Sequence, residues 1–414
     1  MFTSFTTALS ALSAHSTAVD VIGNNLSNLN TTGFKASVVT FHDLVTKSLG
    51  AGLGNTQVGF GVGRPVTMRQ FTQGAIQTSS GALDAAIQGD GFLIVKDRSG
   101  ASLYTRGGHF QVDRSGNLLT PTGEKLQGWT AANGVLSTNG PTSDIVIPVG
   151  SLKQPQPTTE FSIDLNLDAT ASAGPPPDTF SSSIEVFDSL GTSHIITVAF
   201  SKGANANEWD YSISIPDADV AVPVAPTTGT LTFDAGGALS NPAPGGAMPS
   251  IQISGLANGA EDLDLTWNLF DGAAPRVTQY AQPSAVAANA QDGSPAAQLL
   301  RVAIGDGGIV LAQFSNGEQE IVGQLAMAAI RNPQSLVAMG NNNYQLSAFS
   351  ALPAVGLPGT GGRGVILGGA VENSNVDIAK EFTNLIVLQR GYQANTRIVT
   401  AVDELSQETI NLKR

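Results

Sequence analysis

SNVDIAKEFTNLIVLQRGYQANTRIVTAVDELSQETINLKR, residues 374–414, contains no proline and a single glycine, Gly391. Apolar side chains recur through it at three- and four-residue steps: Ile378, Phe382, Leu385, Leu388, Tyr392, Val399, Val402, Leu405 and Leu412. That spacing predicts one long amphipathic helix. Ser374 or Asn375 is the expected N-cap, with Asp377 and Glu381 at the positive end of the dipole and Lys413 and Arg414 at the negative end. At about 1.5 Å per residue the helix would extend roughly 55 Å. A rod that long outruns an ordinary domain, so its apolar stripe is expected to find partners in an assembly.

The expected partner lies at the other end of the chain. Phe2, Phe5, Leu9, Leu12, Val19 and Leu26 follow the a/d spacing of a coiled coil, interrupted only at Ser16 and Gly23. Spacing alone fits equally an amphipathic helix packed on its own domain. Two matched helices at the two termini favour pairing between them. The segment has no basic leader and no continuous apolar run, so a cleaved signal peptide is not expected.

With 41% hydrophobic residues, 47 glycines and 13% charged residues, the 414-residue chain suggests two to four domains, with β-rich structure between the helices. It has no cysteine, which excludes disulfides and thiolate metal sites. No apolar run is long enough for a membrane span. The net charge of -13 is unevenly placed: residues 151–295 hold sixteen acids and three bases, leaving seventeen of each elsewhere. An acidic middle keeps copies apart while neutral ends associate, and nothing offers nucleic acid a basic face.

After the first helix, NNLSNLNTTGFK (24–35) supplies the Asn and Gly that end a helix in the left-handed region. Short turn-punctuated strands follow from 71 to 129, with DRSGN (113–117) and PTG (121–123) as turns. Prolines 155, 157 and 175–177 mark a boundary. Beyond it, EVF (185–187), HIITVAF (194–200), WDYSISI (209–215) and LDLTWNL (263–269) alternate with period two, the pattern of an antiparallel sandwich or barrel. Residues 216–249, rich in Pro, Ala and Gly, read as long surface loops, and 299–346 as a further β-rich run.

NNLSNLNTTGFK and the terminal SNVDIAKEFTNLIVLQRGYQANTRIV resemble the paired signatures of the bacterial flagellar axial proteins of the rod and hook. GALDAAIQGDGFLIV (81–95) and YTRGGHFQVDRSGNLLTPTGEKLQGW (104–129) resemble the β-domain of the same family. PTTEFSIDLNLDA (157–169), EVFDSLGTSHIITVAFSK (185–202) and the run 291–328 are closer to its hook members than to its rod members. The resemblance implies a mainly β fold with long terminal α-helices paired in a coiled coil and nested β-rich domains between them. The expected division is 1–30 with 374–414 as the helical assembly domain and 31–70 with 356–373 as connecting segments. An inner β-domain of 71–145 with 285–355 and an outer acidic β-domain of 146–284 complete it.

The resemblance implies a structural subunit of a curved hollow tube that links rod to filament and transmits torque. The alternative within the family is a straight distal-rod subunit. Implied partners are further copies of the chain, the distal rod protein, the hook cap, the hook–filament junction proteins and the flagellar type III export apparatus, with a location outside the cell and no cofactor. Assembly is expected to use Phe5, Leu9, Leu12, Val19, Asn25, Leu26, Asn28, Asn30, Gly33 and Phe34 from the first half-signature. From the second it would use Phe382, Leu385, Leu388, Gln389, Arg390, Tyr392, Asn395, Val399, Val402 and Leu405.

Chemistry is thinly represented. His15, His42, His109 and His194 show no metal-ligand spacing, and Asp217/Asp219 and Asp262/Asp264 read as solvated acidic faces. GTGGRG (359–364) satisfies GxGxxG but follows a proline rather than a strand. A secreted carbohydrate-binding or hydrolytic protein remains the alternative from another class. It would need clustered aromatics or carboxylates in a pocket, whereas Trp129, Trp209 and Trp267 are far apart in sequence.

Overall fold

The computed structural model describes residues 2–44, 46–48, 57–132, 134–150 and 152–411. Part of the glycine-rich 50–63 stretch, the Phe2 side chain and the expected C-terminal residues Leu412, Lys413 and Arg414 lie outside the described set. Two helices, α1 (Phe2–Ser27) and α2 (Ile378–Asn411), bracket a chain made otherwise of strands and turns. The chain forms two compact units. One comprises Met1–Val149, Arg301–Gln313 and Gln319–Arg414; the other comprises Gly150–Leu300 and Phe314–Glu318.

The first unit is woven from both halves of the chain. Strand Phe92–Lys96 lies between Ser102–Thr105 on one side and Lys125–Ala132 and Met327–Ala329 on the other. Lys125–Ala132 pairs with Gln319–Leu325, and Ser102–Thr105 with Asn343–Gln345. Ala85–Gln88 pairs with Val365–Gly368, and Ile76–Thr78 with Ala370–Glu372. Phe92, Tyr104, Trp129 and Tyr344 fill the core, with Phe71 edge-on to Phe92 and Tyr344. Nesting follows directly from this pairing, since neither terminal half can complete a sheet by itself.

The second unit packs a sheet ordered Thr179–Phe187, Ser193–Lys202, Glu208–Ser214, Thr227–Phe233, Leu239–Asn241 against a sheet centred on Glu160–Asp168. Inward positions alternate along each long strand, as the period-two pattern requires. Phe161 stacks on Trp267 at 6.1 Å and Tyr211 meets it edge-on at 5.4 Å. Three expectations change here. Glu160–Asp168 runs parallel to Leu263–Trp267 and to Val277–Tyr280, so the unit is not wholly antiparallel. Residues 227–233 are a strand rather than loop, and Leu231, Phe233 and Leu239 are core residues. Finally, Ala285–Gln291, expected in the inner β-domain, pairs antiparallel with Glu160–Asp168 in the second unit.

One turn recurs in both units. Asp97, Asp113, Asp188 and Asp234 each begin a D-x-x-G-x loop between adjacent strands. In each, one carboxylate oxygen accepts the backbone N–H groups two and four residues on, at 2.8–2.9 Å. The fourth residue, Gly100, Gly116, Gly191 or Gly237, has φ between 79° and 85°, where any Cβ is strained.

Candidate assembly surface

α1 and α2 pair antiparallel. Asn25 Nδ2 donates to Glu381 Oε1 at 3.3 Å near one end, and the His15 ring lies against Gly391 further along. A Cβ on residue 391 would sit 2.9 Å from the imidazole, so glycine permits this approach. The seam runs along Ala8, Ala14, Ala18, Ile22 and Asn25 of α1, all buried. It is therefore rotated about one residue, some 100°, from the predicted stripe. Phe5 and Leu9 are 37% and 54% exposed, and Leu12, Val19 and Leu26 are half-buried. Alanines take much of the intramolecular contact because they let the two backbones approach, and Phe5 and Leu9 are left facing solvent.

α2 divides in the same way. Leu385, Leu388, Asn395, Val399 and Val402 are half-buried, whereas Phe382, Gln389, Arg390, Tyr392 and Leu405 are exposed, as are Ile386, Val387 and Ile398. Asn395 Nδ2 is satisfied within the helix by the Gly391 carbonyl at 2.9 Å. The helix begins later than expected. Asp377 Oδ1, not Ser374 or Asn375, accepts the Lys380 N–H at 3.1 Å. Asn375 instead cross-links the two chain ends: its Oδ1 accepts Ala36 N at 2.7 Å and its Nδ2 donates to the Gln70 carbonyl at 2.8 Å.

The NNLSNLNTTGFK segment caps α1 and ties it down. Asn25 exchanges hydrogen bonds with the Ser37 backbone in both directions, at 2.8 and 3.0 Å. Asn28 donates to the Asn24 carbonyl at 2.9 Å, and Asn30 is exposed. Gly33 has φ +72°, and a Cβ there would meet the Arg106 carbonyl oxygen at 2.5 Å. Phe34 is buried with Ala36 and Val376. His109 bridges Asp84 at 3.0 Å and Thr32 at 3.2 Å, and so serves structure.

Sequence reasoning missed the centre of this junction. Glu372, fully buried, binds Lys35 Nζ at 2.6 Å, Gly74 N at 2.8 Å and Arg106 Nη1 at 3.4 Å. Lys35 also donates to the Thr72 carbonyl at 2.9 Å, and Arg106 to those of Gly91 and Gly89. Burial, and then Arg106, depress the Lys35 pKa, while Glu372 opposes the shift. Four separate stretches of chain meet on one carboxylate. The available signal was a lysine directly after an apolar aromatic in a segment otherwise without charge, too slight to single out.

Glu381 is the one buried acid of the helix pair. Burial raises its pKa, opposed by the Asn25 hydrogen bond and Lys380 and assisted by Asp377. A carboxyl whose folded pKa exceeds its unfolded one binds more protons when folded. Pairing is then favoured at low pH and weakens as pH rises through the shifted value. Glu381→Gln should therefore strengthen helix pairing at neutral pH and flatten its dependence on pH above the ordinary carboxyl value of about 4.3. Hydrogen exchange of the α2 amides measures this, and faster exchange in the variant at pH 7 would contradict it.

No group of His and carboxylate side chains among the described residues is arranged to hold a metal. Trp209 and Trp267 are fully buried in the core of the second unit and Trp129 is buried in the first, so none offers a face to a sugar. His194 is buried, bound to Asp188 at 3.1 Å and near Asp219 at 3.3 Å, with no hydroxyl or thiol nucleophile in that set. No described helix is long and apolar enough to cross a membrane.

Family models match both ends and the middle of the chain, leaving residues 36–85 and 295–366 without a match. Residues 5–35 match the flagella basal body rod protein model and 367–412 the flagellar basal body rod FlgEFG protein C-terminal model. Residues 86–166 match the flagellar hook protein FlgE/F/G D1 domain, and 163–294 the flagellar basal body protein FlaE D2 domain. The flagellar hook protein FlgE of Treponema pallidum is 32% identical over 465 residues, covering 100% of both chains. That of Escherichia coli is 31% identical, covering 99% of this chain and 100% of its own. The crystal structure of Helicobacter pylori flagellar hook protein FlgE2 matches 70% of this chain and 99% of its own, with a TM-score of 0.52 at 15% identity. The chain belongs to the flagellar hook protein FlgE family.

Proposed function

We propose that this chain is a structural subunit of the bacterial flagellar hook, polymerising into a curved hollow tube that joins rod to filament and passes on torque. The observation that supports this most is the division of the helix pair. Small residues close the seam within one molecule, and Phe5, Leu9, Phe382, Ile386, Val387, Tyr392 and Leu405 remain uncovered. A helix pair that leaves an apolar face to solvent marks a surface for other molecules to cover. The acidic outer unit suits a wetter and more mobile layer, because polar contacts exchange for water more readily than apolar seams. Leader-independent export through the flagellar type III apparatus, and contacts with the distal rod, hook cap and junction proteins, belong to this reading.

Electron microscopy of polymer grown from the purified full-length chain provides the test. Curved, polymorphic tubes are expected. Straight rigid rods would favour a distal-rod role, and a protein that stays monomeric at every concentration would overturn the assignment.

A further inference from the structure

The most exposed apolar side chains among the described large hydrophobics are not on the helices. Phe349 is 87% exposed and Leu352 90% exposed, both on a short loop of the first β-unit. This loop is built rather than loose. Asn332 accepts Ala351 N–H at 2.9 Å through its side-chain oxygen and donates to the Phe349 carbonyl at 3.0 Å. Ser350 Oγ lies 2.9 Å from Ser335 Oγ and accepts Ser347 N–H at 3.0 Å. The turn Pro333–Ser335 that carries these contacts leads into strand Val337–Gly340, the last in its sheet. That strand pairs only with Asn343–Gln345 among the described residues. Its Val337 and Met339 are 50% and 55% exposed.

Residues 332–362 contain no Asp, Glu, Lys, Arg or His. A chain of net charge -13 thus keeps one continuous stretch free of charge where its apolar side chains protrude. The loop lies outside residues 151–295, in the part of the chain where acids and bases balance, and its uncharged face sets no repulsion against a second copy. An oppositely charged partner would find nothing there to steer it. The loop's hydrogen bonds fix its shape before binding, so little ordering entropy is lost when Phe349 and Leu352 are covered.

We propose that Phe349 and Leu352, with the adjoining strand edge at Val337 and Met339, form a docking knob that inserts into a second copy of the same chain. This rests on the assembly reading above and adds to it a β-unit contact separate from the helices. The contact is heterologous: the knob meets a different surface on its neighbour, as an open helical polymer requires.

The absence of native cysteine makes the test direct. Phe349→Cys and Leu352→Cys each introduce a lone thiol at a position whose side chain is almost wholly solvent-exposed in the monomer, so folding should be unaffected. Circular dichroism melting checks this. Labelling with a bulky maleimide should be fast on monomer and at least tenfold slower on tubes assembled from the same variant. Equal labelling of monomer and tube overturns the knob while leaving the hook assignment intact. Failure of both variants and the unsubstituted chain to assemble overturns both. Protection found only in hooks isolated from cells, and not in tubes of pure protein, would place a different protein on the loop and also overturn the proposal.

Discussion

Glu372→Ala should destabilise the first unit by about 3–5 kcal/mol, the largest effect expected of any single side chain in it. Among the described residues the carboxylate is the only acid bound to Lys35 and Arg106, and all three side chains are at most 2% exposed. Its removal leaves two buried cations facing each other and also frees the Gly74 N–H. The pH dependence gives the mechanism a signature. Lys35 already has a depressed pKa, and losing Glu372 removes the main influence raising it. A lysine whose folded pKa lies below its unfolded one binds fewer protons when folded. Stability then rises with pH between the depressed value and the ordinary value near 10.4. The variant should thus recover part of its loss as pH is raised from 7 towards 10, as Lys35 sheds its proton. Denaturant melts at several pH values measure this. A loss under 1 kcal/mol, or one that grows with pH, would refute it. Lys35→Met combined with Glu372→Gln should cost less than the two single changes added together, because the double variant leaves fewer charges unpaired.

How far the sequence carries depends on the length over which a signal repeats. The two helices and the alternating strands 193–202 and 208–214 persist for enough residues that burial must follow the pattern. The D-x-x-G-x turns were legible in the same way: DRSGN could be read as a turn, although its recurrence at Asp188 and Asp234 became visible only with the strands in place. The helix seam was misplaced by one residue because large apolar side chains mark a hydrophobic stripe, whereas the intramolecular contact uses alanine. Ala8, Ala14 and Ala18 carry little hydrophobic signal, yet they decide how closely α1 and α2 approach. Strand 227–233 was hidden by the Pro and Gly around it. The Glu372 junction depends on contacts 337 residues apart in sequence, which no local pattern can announce.

Leu405→Asp should abolish tube formation while leaving the monomer folded. Leu405 is exposed on α2 and has no place in the buried seam, so the substitution removes no packing within one molecule. In the assembled state the same leucine would be covered, and burying it contributes about 1.5–3 kcal/mol. Aspartate forfeits that and must also be desolvated. A loss of about 3 kcal/mol per subunit raises the concentration needed for polymerisation by roughly two orders of magnitude, beyond what a sedimentation assay at ordinary concentrations reaches. Leu385→Asp gives the contrast, since Leu385 is half-buried on α2. It should unpair α1 from α2 even in the monomer, with earlier protease cleavage at both ends and the β-units intact. Sedimentation for assembly and limited proteolysis for helix pairing, run on both variants, separate the two surfaces. If Leu405→Asp assembled at the unsubstituted concentration, the outward face of α2 would not be the surface that joins one subunit to the next. If Leu385→Asp left both chain ends as protected as before, the pairing of α1 with α2 would not depend on Leu385.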